Sequence, residues 1–127
     1  MTGRAAPSID VARARDLLDD GGPGAGDARF LIDRLWPRGI RKDRLVLTGW
    51  PKAATPSTEL RQAYHHGEID HDEFARRYRA ELEDSGAVGD LLEQAADATS
   101  STLVTAVRDL ASSHVPILVA ALEEAAR

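Results

Sequence analysis

A single α/β domain, with a small, mainly parallel sheet and helices packed around it, is predicted by three features of the 127-residue chain. Residues 30–32 and 102–107 are short runs rich in apolar side chains. Strands covered on both faces carry such runs, since neither face has to meet water. Each run stops in a charged pair, Asp33 with Arg34 and Arg108 with Asp109. Between the two runs lie three stretches with helical apolar spacing, and strands separated by helices build a sheet with charged groups at its strand ends.

In chain order, residues 1–7 read as a frayed end of a domain that spans 1–127. In residues 8–15, Ile9 and Val11 alternate with polar residues, so a first strand is expected, although ARARDLL also suits a helix. Residues 19–27, DDGGPGAGD, hold four glycines and a proline and are expected to form a hairpin connection. Their spacing is neither GxGxxG nor GxxxxGKS/T and they precede a strand, so no nucleotide cofactor is implied. After the apolar run, Leu35 and Trp36 anchor a turn in which Pro37 fixes its own φ and Gly39 allows a backbone angle other residues avoid.

Residues 45–50 are a short apolar piece, either a strand or an irregular segment packed on the core. Pro56, Ser57 and Glu59 open a helix that runs to about Tyr64, because serine caps free amides and glutamate suits the positive end of the dipole. Asp70 and Glu73 begin the next helix, with Phe74, Tyr78 and Leu82 on one stripe. Gly86 interrupts it. Val88, Leu91, Leu92 and Ala95 mark a third helix over 87–96, and Ile117, Leu118, Leu122 and Ala125 a last one with Pro116 in its first turn.

Composition excludes several classes of function. Cysteine is absent, which removes disulfides, a thiolate nucleophile and cysteine-based metal sites, and fits a reducing cytoplasm. The first ten residues hold no apolar export segment, and no window approaches the ~20 apolar residues of a membrane helix. The chain therefore reads as cytoplasmic, with no membrane partner. A net charge of −5 argues against general nucleic-acid binding, which needs excess basic charge. The charge is uneven, because residues 29–44 carry six basic side chains against Asp33 and Asp43, a local +4, while residues 59–93 carry −6.

Read together, IDRLWPRGI, TPSTELRQAY, HHGEIDHDEFARRYRAEL and TLVTAVRDLASSHVPILVAAL resemble the domain-of-unknown-function family 488 in its YeaO-like branch, over roughly residues 28 to 124. The resemblance implies a small α/β protein without an established activity. The methyltransferase label some members carry finds no support in this sequence. The family pattern has tyrosines where this chain has Arg15 and Thr105, and asparagine where it has Ser113. Asp33, Arg34, Arg38, Arg61, Arg77, Asp109 and His114 keep the pattern.

A candidate site follows at the carboxyl ends of the strands, where open α/β sheets bind ligands. Arg34, Arg38 and Arg61 would orient a small phosphorylated or carboxylated anion, with Asp109 and Ser113 completing its binding. The helix after Ser113 would offer amides to that anion. Asp33 and His114 are the candidate acid and base residues, since imidazole titrates near neutrality. The competing reading makes Asp33 and an arginine a structural ion pair, with His114 packed at the helix start. His65, His66, Asp70, His71 and Asp72 bunch together without a recognised ligand spacing, so no metal is assigned. Trp36 and Trp50 are read as core volume rather than as stacking platforms, and Arg76, Arg77 and Arg79 as a solvated face. A separate class of function is a non-catalytic interaction module whose basic turn, residues 34–44, docks an acidic protein partner.

Overall fold

The computed structural model describes residues 8–126. The expected frayed end at 1–7 lies outside them. Three parallel strands, β1 (Ser8–Arg13), β2 (Asp27–Leu31) and β3 (Ser100–Thr105), form one sheet in the order β1-β3-β2. The four helices are α1 (Thr58–His65), α2 (His71–Ser85), α3 (Ala87–Gln94) and α4 (Val115–Ala125). Among the described residues no helix is long and apolar enough to cross a membrane.

Strand alternation sets the two cores. Ala28, Phe30, Ile32 and Leu103 meet residues of all four helices, including Leu60, Phe74, Tyr78, Leu91 and Leu118. Leu31 and Val104 point the other way, onto Ala14, Ile40 and Leu45, with Trp36 and Trp50 partly buried against them. Both faces are thus dry along β2 and the carboxyl half of β3, as the apolar runs predict, while edge strand β1 stays largely exposed.

Local chemistry fixes the helix ends. Ser57 Oγ accepts from the Leu60 amide at 3.2 Å, and Asp70 Oδ1 accepts from the Glu73 amide at 2.9 Å. Glu81 accepts from both the amide and the hydroxyl of Ser57, which ties the start of α1 to α2. Gly86 ends α2 with φ +70°, a conformation open to glycine at little cost.

Two expectations shift, and an alternative left open is resolved. The glycine-rich loop does not make a hairpin, because β1 and β2 are parallel and β3 lies between them. Strand β3 begins and ends two residues early, since the Ala106 amide donates to Asp33 at 2.8 Å instead of continuing the ladder. Residues 45–50 resolve as an irregular segment with one parallel bridge, between Phe30 and Gly49.

Candidate functional site

The segment after β2 is held by its own side chains. The Asp33 carbonyl accepts from Trp50 Nε1 at 2.7 Å, and the Ile40 carbonyl from Trp36 Nε1 at 2.6 Å. The two indoles meet edge to face with centroids 5.6 Å apart. Pro37 accepts from the Ile40 amide, and Gly39 takes φ +80° in the third position of that turn, which leaves Arg38 at its exposed tip. Both tryptophans are half-buried; Trp36 also lines the adjoining cavity.

The Asp33 carboxylate crosses from β2 to the end of β3. Its Oδ1 accepts from Thr105 Oγ1 at 2.7 Å and its Oδ2 from the Ala106 amide at 2.8 Å. No arginine pairs with it among the described residues; His114 Nε2 lies 3.5 Å from Oδ1. That nitrogen is 2.6 Å from the Ile32 carbonyl, which can only accept, so the proton sits on Nε2. Burial pushes the His114 pKa below the ordinary imidazole range, against the carbonyl bond and the Asp33 charge, which act to raise it. The ring is therefore neutral near pH 7. Ser101 Oγ is the only fully buried side-chain polar atom without a partner among the described residues.

A cavity of about 640 Å³ opens beside this knot. Asp33, Arg34, Arg38, Arg61, Ser113 and His114 all line it, together with Trp36, Tyr64 and Phe74. Arg34 reaches Thr55 Oγ1 at 3.3 Å, and none of Arg34, Arg38 or Arg61 meets a carboxylate among the described residues. Asp109 does not line the cavity. Hydrogen bonds from Ser112 and Ala111 hold its carboxyl below the usual range, which makes it a cap for its own turn. The Ser113 hydroxyl donates to the Leu110 carbonyl and accepts from the Val115 amide at 3.1 Å. With Pro116 carrying no N–H, the start of α4 has fewer amides to offer an anion than its position suggests.

Tyr64, on α1, stacks on Phe74 at 4.3 Å and donates to the Ser112 carbonyl at 2.7 Å, closing one wall. Sequence reading missed this; its only signal was the four-residue spacing from Leu60 to Tyr64. Of the histidines, His65 lines the cavity, His66 lies 3.6 Å from Glu68, and His71 leans on Tyr64. Among the described residues no three His, Asp or Glu side chains are grouped to hold a metal.

A second cavity of about 560 Å³ shares Pro37, Arg38 and Ala106 with the first. Arg13, Arg15, Arg108 and Thr105 also line it.

Fold and cavities together define a small parallel α/β protein with basic concavities at the carboxyl ends of its strands. The chain belongs to the DUF488 family, the model described as "Inactive DUF488-N3 subclade" matching residues 9–127. It is 44% identical over 110 residues to the uncharacterized protein Rv3073c of Mycobacterium tuberculosis, covering 87% of this chain and 89% of the relative. It is 41% identical over 90 residues to the uncharacterized protein YeaO of Escherichia coli, covering 71% of this chain and 78% of the relative. No solved structure matches it.

Proposed function

We propose that the first cavity binds a small phosphorylated or carboxylated anion in the cytoplasm and does no chemistry on it. The observation that carries this reading is the set Arg34, Arg38 and Arg61, three guanidiniums on one cavity, none of them paired with a carboxylate among the described residues. Guanidinium forks match phosphate and carboxylate geometry, and a concave wall strengthens their field. Binding without catalysis is favoured because both oxygens of Asp33 are committed to the end of β3. The word "Inactive" in the matching family description agrees with that.

The test is thermal unfolding of wild type and Arg38→Ala with inorganic phosphate, adenosine monophosphate and citrate. A ligand at a hundred times its Kd adds about 2.7 kcal/mol to the native state, a shift of several degrees at this size. A shift in wild type that Arg38→Ala removes supports the site. No shift with any anion rules it out. One observation favours docking of an acidic protein instead: Leu35, on the same rim, is 61% exposed. That reading expects no small-anion shift and binding of an acidic partner that weakens with salt.

A further inference from the structure

The second cavity lies where β1 and β3 end side by side, with Arg13 opposite Thr105 in the register. From β1 the chain turns through Ala14 onto the face that carries none of the four α-helices; from β3 it leads to α4 on the opposite face. Connections that leave neighbouring strands towards opposite faces open a crevice between them, and open α/β sheets bind ligands there. Arg13, Arg15, Arg38 and Arg108 line this crevice, and no acidic residue does. Arg13 donates to the carbonyls of Val107 at 2.6 Å and Arg108 at 3.1 Å. Those bonds fix the guanidinium and leave its charge unneutralised. Arg15, Arg38 and Arg108 make no ion pair among the described residues. Four like charges around one concavity create a potential that an anion relieves.

Arg38 stands on the wall shared by the two cavities. We infer that the second cavity takes a second anionic group of the same ligand, which is therefore an elongated molecule with an anionic group at each end and Arg38 between them. This deepens the anion-site reading of the first cavity and rests on it. The aromatic wall formed by Trp36, Tyr64 and Phe74 belongs to the first cavity only, so the spacer between the charged ends can be apolar.

The experiment is isothermal titration calorimetry at low ionic strength with alkane-1,ω-diol bisphosphates of three, six and nine carbons, each against the monophosphate of the same chain. Dicarboxylates of equal length run alongside and separate phosphate from carboxylate recognition. One length is expected to bind at least about tenfold tighter than its single-ended analogue, because the second contact forms intramolecularly. Arg15→Ala with Arg108→Ala should remove that gain, so that double-ended and single-ended compounds bind about equally. Each replacement alone should cut the gain severalfold, which keeps the test decisive if the double variant does not fold. Double-ended compounds no tighter than single-ended ones at every length, or a gain that survives both replacements, overturn the second site and leave the first standing. No binding of any single-ended compound overturns both.

Discussion

Arg29, Arg44, Arg76 and Arg77 each reach a carboxylate, whereas Arg34, Arg38 and Arg61, around the first cavity, reach none among the described residues. Arg29 and Arg44 tie separate segments together, while Arg76 and Arg77 both pair with Glu73 within α2. Arg29, on β2, makes a two-pronged bond to Asp20 in the glycine-rich loop and holds that carboxyl down to about 2. Arg44 fastens Asp19 of the same loop to the segment after β2, and lowers its pKa in the same way. The second group meets no carboxylate among the described residues, although Arg34 reaches the Thr55 hydroxyl. The same cavity wall contains Asp33, each of whose carboxylate oxygens already accepts a bond from the end of β3. Facing a cavity and serving a ligand are therefore different properties, and hydrogen-bond partners tell them apart.

The largest expected effect tests that division at Asp33. Replacing it with alanine removes the acceptors of Thr105 and the Ala106 amide and the charge beside His114. Hydrogen bonds to a charged group contribute about 1.5–3 kcal/mol each, so Asp33→Ala should cost about 3 kcal/mol, read as a lower urea midpoint at unchanged slope. Asp33→Asn should fall between, because its amide nitrogen cannot accept from Ala106. A variant as stable as wild type that had lost anion binding would transfer Asp33 to the ligand-facing group.

His114 gives a smaller effect with a definite sign. Its folded pKa lies below the ordinary value of about 6.5, so the unfolded chain takes up the proton first as pH falls. Its contribution is fully present above about pH 6.5 and is lost as pH falls from there through the folded pKa. The lowered carboxylates, Asp19, Asp20, Glu73 and Asp109, add the same sign of slope only below about pH 4, where unfolded carboxyl groups protonate. Urea unfolding between pH 7 and 5 should show a slope that His114→Gln flattens. A slope unchanged in that variant would mean the imidazole is not the group being titrated.

Much of this was legible in the residues. The runs at 30–32 and 102–107, the Ser57 and Asp70 caps and the stripe of Phe74, Tyr78 and Leu82 are local signals, and the elements they imply are present. Six of the seven candidate residues line one cavity because strand ends in a parallel sheet converge. Asp109 departs for a local reason, since Ser112 and Ala111 are nearer donors than anything across the cavity. Sequence could not reveal that β3 lies between β1 and β2, because strand order depends on which connection crosses which face. That order places Arg13 and Arg15 beside Thr105 and Arg108, so the second basic cavity had no signal in the spacing. Two of its wall positions, Arg15 and Thr105, are those where the resemblance to the family implies tyrosine. The sequence marked the departure, and only the assembled sheet shows that both lie on one wall.

The smallest effect sharpens the comparison most, because it depends on sign. Arg38 is exposed at the tip of its turn, makes no ion pair among the described residues, and lines the second cavity with other arginines. Removing it deletes repulsion and no bond, so Arg38→Ala should leave stability within about 0.5 kcal/mol of wild type, on the stabilising side. Arg29→Ala deletes both bonds to Asp20 and should destabilise. Salt screens repulsion and attraction alike, so the two differences should shrink from opposite sides as sodium chloride rises from about 20 to about 200 mM. Thermal midpoints for the three proteins at both salt levels check this. If Arg38→Ala is destabilised by as much as Arg29→Ala, with the same response to salt, Arg38 has a structural partner and does not belong with the arginines left free for a ligand.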